Sequence, residues 1–162
     1  MKKVIFLLVM ASLATMAFRS DSYEAYTPIF MSRQTLENSV MYIAGARDMK
    51  QTGKIYYRTP YIYVNERYKG VHVINNSDPA RPVNEGFILA PGCIDMAVKE
   101  NILYLDNAVD LVSFDLDSKQ ETKRIRNVFP EPLPPEDFFS YGFFNRPEGY
   151  ILVGWKKNQK FD

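Results

Sequence analysis

Asp106, Asp110, Asp115 and His72 are the residues whose types could support acid–base or hydrolytic chemistry in this chain. Carboxylate pairs run glycoside hydrolysis, and clustered acidic oxygens suit calcium. Asp106 and Asp110 flank a short polar turn in "YLDNAVDLVSFD", and Asp115 closes the apolar run that follows. Asp is favoured at such places because its side chain accepts hydrogen bonds from nearby backbone N–H groups. In an earlier stretch of the same pattern the corresponding positions hold Asn65, Gly70 and Asn75. Turn chemistry therefore accounts for both sets, and catalysis for only one. His72, the only histidine, stands between Val71 and Val73 in a run whose alternation sends its ring away from those two side chains. Without a second imidazole or a nearby cysteine it cannot complete a transition-metal set, so a structural or surface histidine is expected. Cys93, the only cysteine, has no neighbouring base to activate it and reads as a small buried hydrophobe. No Gly-rich phosphate loop, serine-centred nucleophile elbow or paired-cysteine motif occurs, and neither a cofactor nor a metal is expected.

The candidate for binding is "FPEPLPPEDFFSYGFF", residues 129–144. Four prolines bar it from the middle of a sheet, and Phe138, Phe139, Tyr141, Phe143 and Phe144 crowd together after them. As an exposed platform beside Glu131, Glu136 and Asp137, these aromatics would receive a glycan or a peptide. The competing reading places them in the core of a third structural unit.

The elements that must position these residues are strands. From Lys54 onward the chain is made of short runs rich in Ile, Val, Tyr and Phe, bounded by Gly, Pro, Asn and Asp. "KIYYR", "YIYVN", "GVHVIN", "FILA", "DMAVKE", "ILYLDN" and "LVSFDL" are the clear cases. No later window sustains a helical period over three turns. One short helix is predicted in "SRQTLENSV", where Ser32 caps the start and Leu36 and Val40 share a face.

The first seventeen residues differ from the rest. Lys2 and Lys3 precede an apolar or small stretch from Val4 to Ala17, with Thr15 and Ala17 placed for signal-peptidase cleavage. This predicts an exported protein, periplasmic or at the cell surface, with no stable membrane insertion after cleavage. The leader holds two of the 20 Lys and Arg and none of the 19 Asp and Glu, so the remainder is close to neutral. A near-neutral chain without a basic run gives no electrostatic reason to bind nucleic acid. One cysteine cannot form an internal disulfide, so packing must hold the fold. The expected organisation is a signal peptide over 1–17, a segment with a short helix over 18–53, and repeats over 54–162.

Repetition defines that last region. "IYYRTPYIYVNERYKGVHVIN" from Ile55 overlies "MAVKENILYLDNAVDLVSFD" from Met96, with Tyr63 on Tyr104 and Ile74 on Phe114. The second copy is one residue shorter in its hairpin loop. "GYILVGWKKN" opens a third copy. A period near forty with all-β content is the size of one propeller blade.

"GVHVINNSDPARPV", "DLVSFDLDSKQETKRI" and the intervening "FILAPGCIDMAVKENILYLDN" resemble the LVIVD-repeat proteins of bacterial cell envelopes, especially exported members from Bacteroidetes-type bacteria. The resemblance covers roughly residues 27 to 155 and implies a β-propeller at the surface or in the periplasm; it brings no catalytic residue with it. Asn75 stands where that pattern has Asp, and the second copy has "DLDSKQE" in place of an Asp-Pro turn. The fold expected is all-β: about two propeller-like blades and the start of a third, an incomplete ring, with a short N-terminal helix. Because a ring needs about four blades, the chain is expected to be a shortened or truncated member, or to assemble as a homo-oligomer. The expected function is a non-enzymatic exported binding or scaffolding module for a protein or glycan. The alternative is an envelope hydrolase or lyase using Asp106, Asp110 or His72. Convergence of those residues in one pocket would favour the enzyme.

Overall fold

A computed structural model describes residues 26–133 and 145–158. The leader and the cluster Phe138, Phe139, Tyr141, Phe143 and Phe144 lie outside the described residues. In chain order the elements are β1 (Tyr26–Ser32), α1 (Arg33–Glu37), β2 (Met41–Ala44), β3 (Thr52–Arg58), β4 (Tyr61–Glu66), β5 (Gly70–Asn75), β6 (Val83–Leu89), β7 (Met96–Lys99), β8 (Ile102–Asn107), β9 (Asp110–Asp115), β10 (Gln120–Ile125) and β11 (Tyr150–Lys157). They form three antiparallel sheets: β2-β6-β5-β4-β3, β10-β9-β8-β7 and β1-β11. The architecture is all-β, and among the described residues no sheet closes on itself.

The two aligned stretches fold as the central strands of two up-and-down meanders, β3 to β6 and β7 to β10. Three residues, Arg67 to Lys69, join β4 to β5, whereas Ala108 and Val109 alone join β8 to β9. The one-residue difference expected in this loop is present. Between the meanders lies one core, built by Tyr63, Val71, Val73 and Ile88 of the first sheet and by Leu103, Leu105, Val112 and Phe114 of the second.

The faces that meet are not equivalent faces. Tyr63, Val71 and Val73 point into the core, but their counterparts Tyr104, Leu111 and Ser113 point out of the second sheet. The core side of the second sheet is made by Leu103, Leu105, Val112 and Phe114, whose counterparts Ile62, Val64, His72 and Ile74 lie on the outer side of the first. The two meanders thus stack front to back, in the same orientation, with β3 beside β7.

The short helix is where the sequence places it, with Ser32 as its N-cap and the Ser32 hydroxyl accepting from the Thr35 N–H at 3.2 Å. Leu36 is buried against Ala108 and Val153. Residues 18–53 also contain β1, β2 and the first two residues of β3, which the sequence does not announce. Pro28 interrupts the donor pattern of β1, tolerable because β1 pairs on one side only, and β2 has just four residues. The strand expected to open a third copy, β11, pairs with β1, Phe30 opposite Leu152. Its apolar residues pack on the hairpin turns, Leu152 and Trp155 with Tyr68, Val153 with Ala108. This small sheet lies across the turn end of both meanders.

Candidate functional site

The acidic candidates hold backbone in place. Asp115 accepts from the N–H groups of Asp117 and Ser118 at 3.0 and 2.7 Å, and those bonds keep its carboxyl below the ordinary range. Asn75, its counterpart, accepts from the Ser77 N–H at 2.9 Å. The Asp106 carboxylate accepts from Ile94 N and Asp95 N, both at 2.9 Å, and so clamps the connection entering β7. Burial raises its pKa, and these bonds offset the rise only in part.

Asp110 is fully buried and has a different task from the surface turn residue its position suggests. Its oxygens accept from Arg33 Nη1 at 2.8 and 2.7 Å, Arg124 Nη1 at 3.0 Å and Asn127 N at 3.0 Å. Burial alone would raise this carboxyl; the Arg33, Asn127 and Arg124 bonds outweigh it and lower the pKa. Asp110 therefore ties α1 and β10 to the β8–β9 turn. The sequence holds no local sign of this, because Arg33 is 77 positions away.

His72 is also buried, although it lies on the outer side of its sheet. Residues 45–51 cross over it as a strap. Gly45 N donates to Glu85 O, Asn84 Nδ2 to Arg47 O, and Arg67 N to Gln51 O. Glu66 accepts from Lys50 N at 3.1 Å, Gln51 N at 3.0 Å and Lys69 Nζ at 3.0 Å. Its burial pushes the carboxyl up, but these donors prevail and its pKa is lowered. The His72 ring packs edge-on against Phe87, with Nδ1 3.4 Å from Asn84 Nδ2 and Nε2 3.6 Å from Glu66 Oε2. Burial favours the neutral ring over the attraction of Glu66, so the pKa is lowered.

His72, Asp106 and Asp110 do not converge. The first lies outside one sheet, the second on the outer side of the other, and the third under α1. Among the described residues no group of three or more His, Cys, Asp and Glu is arranged to hold a metal ion. Cys93 is fully buried; desolvation first, and then the Asp106 carboxylate, push its thiol well above the ordinary range. That is the inert state expected of a packed thiol.

A concavity lies on the outer side of the second sheet. It is a cleft of about 540 Å³ between Ala97, Tyr104 and Leu111 on one wall and Phe129, Pro132 and Leu133 on the other. Ile94 and Met96 deepen it, and the charged groups Lys54, Arg67, Asp95, Asp106 and Glu131 line it. The second wall is anchored: Phe129 N donates to Val109 O at 3.0 Å, Trp155 Nε1 to Pro132 O at 2.8 Å and the Tyr68 hydroxyl to Leu133 O at 3.1 Å. Residues 129–133, the described part of the stretch singled out as a binding candidate, thus form a fixed wall of the cleft. Its sequence signal was the run "FPEPL", which cannot join a ladder and is held by its carbonyls instead. Tyr104 and Leu111 gave no such signal, since the side of a strand that meets the core is decided by stacking.

No family model matches the chain, and neither the curated proteins nor the solved structures contain a match.

Proposed function

We propose that the chain is an exported, non-enzymatic binding module, built from two propeller-type units, whose cleft receives an apolar segment of a protein partner. The leader supports export, and the front-to-back stacking of the two meanders supports a propeller-type arrangement, the one implied by the resemblance to LVIVD-repeat proteins. The observation that carries the reading is the anchored apolar cleft beside Tyr104 and Leu111. Its lining suits aliphatic side chains, and the charges around it suit a flanking polar backbone. Of the acids that line the cleft, Asp106 accepts from the Ile94 and Asp95 N–H groups and Asp95 pairs with Lys54, while His72 lies under the strap of the other sheet.

Fluorescence polarisation with two probe panels tests this: labelled decapeptides bearing aliphatic side chains, and labelled envelope oligosaccharides. Peptides are expected to bind, and Leu133→Glu, at a side chain 70% exposed, is expected to weaken them at least tenfold without changing the unfolding temperature. Binding of oligosaccharides alone would replace the protein partner with a glycan. Binding of neither, or cleavage of any probe seen by mass spectrometry, would overturn the proposal.

A further inference from the structure

We infer that the protein partner is a second copy of this chain, stacked front to back in the way its own two meanders stack. The inference rests on the reading of the chain as a binding module. It starts from the outer side of the first sheet, where Ile55 and Tyr57 are 66% and 58% exposed, beside the half-buried Ile62 and Ile74. Cross-strand register places Tyr57, Ile62 and Ile74 in one row, a continuous apolar strip at the β3 edge. Apolar rows of this kind on a sheet mark a covered surface.

The chain itself shows what covers such a strip. The corresponding row in the second sheet is Val98, Leu103 and Phe114, and Met96 corresponds to Ile55; all four are 7% exposed or less. They share a core with the tyrosine-bearing side of the first sheet, Tyr63, Val71 and Val73. One further surface of that kind exists among the described residues: the outer side of the second sheet, with Tyr104 and Leu111 in the corresponding places and the cleft beside them. One copy therefore carries an apolar strip on one side and its type of receptor on the other. Repeating the internal relation seats the strip of one copy on the Tyr104 side of the next. Such a contact is heterologous, and it closes when the rotation per meander brings the last surface back to the first. Two copies supply four meanders, which is the smallest closed propeller.

Position-specific cross-linking in the full chain tests the contact. Thr59→Cys lies beside Tyr57, whose hydroxyl is 3.2 Å from Thr59 Oγ1, and Ser113→Cys lies opposite Tyr104 on the receptor side. The native Cys93 is fully buried and does not compete. A mixture of the two variants, treated with a bis-maleimide, is expected to give a covalent dimer that neither variant gives alone. Adding Ile55→Lys to the Thr59→Cys chain is expected to reduce the dimer at least tenfold while thermal unfolding is unchanged. A mixture that gives no more dimer than the separate variants overturns the inference, as does equal cross-linking of Thr59→Cys with itself, which would mean a two-fold contact between strips. If the mixture fails while aliphatic peptides still bind the cleft, the self-contact falls and the binding module stands. If both fail, both fall.

Discussion

Asp110→Asn is the most informative single perturbation of this fold. It keeps the size of the side chain, removes its charge, and turns an N–H₂ toward one of two guanidinium groups that lose the carboxylate they share. Breaking a buried ion pair by removing one partner costs about 3–5 kcal/mol. The lower end applies, because both cations keep another acid: Arg124 has Glu121 at 2.7 Å, and Arg33, its side chain 27% exposed, has Glu37 at 3.9 Å. A loss of about 3 kcal/mol is therefore expected, which for a chain of this length lowers the unfolding temperature by roughly 6–12 °C. Urea unfolding followed by the fluorescence of Trp155, the single tryptophan, reads the same loss as a lower midpoint at unchanged slope. The sign of the pH dependence follows from the lowered pKa of Asp110. Its ionised form stabilises the fold above the unfolded carboxyl value of about 3.9, and that contribution is lost as pH falls through the lower folded value. The gap between wild type and variant should accordingly be open at neutral pH and close in acid. A variant within about 0.5 kcal/mol of wild type at neutral pH, or a gap that persists below the folded pKa, would refute the assignment of a charge-based tie between α1, β10 and the β8–β9 turn.

Two further outcomes follow from the strap and the first hairpin. Because burial holds His72 below its ordinary pKa, the unfolded chain takes up the proton first, and wild-type stability should fall as pH drops below about 6.5. His72→Gln should flatten that slope; urea titrations at about pH 7.5 and pH 5.5 that show the same slope in both chains would mean that His72 is not the group responsible. Gly70→Ala should destabilise by about 3 kcal/mol or more, since a Cβ there would sit 2.0 Å from Ile88 O at a backbone φ of +144°. A midpoint close to wild type would mean that the β5–β6 pairing relaxes around the methyl group.

The elements were legible in the chain alone. Alternating Ile, Val, Tyr and Phe between turn residues fixed β4 to β9, the Ser32 cap fixed the short helix, and the overlay of Ile55 on Met96 matched strands that prove to occupy like places in two meanders. It also identified the turn role of Asn75 and Asp115, because an Asx side chain bonding two or three residues ahead is a local act. Which residues meet across space was set by how the sheets pack. A strand's two-residue period says which residues share a side, but stacking says which side is buried. That is why His72 and Val112, in equivalent places, are one under a strap and the other in the core. The pairing of β1 with β11, the Arg33–Asp110 tie and the wall of the cleft each join residues far apart in the chain. Their partners are selected by which surfaces remain uncovered once the two meanders have met, and no local pattern carries that information.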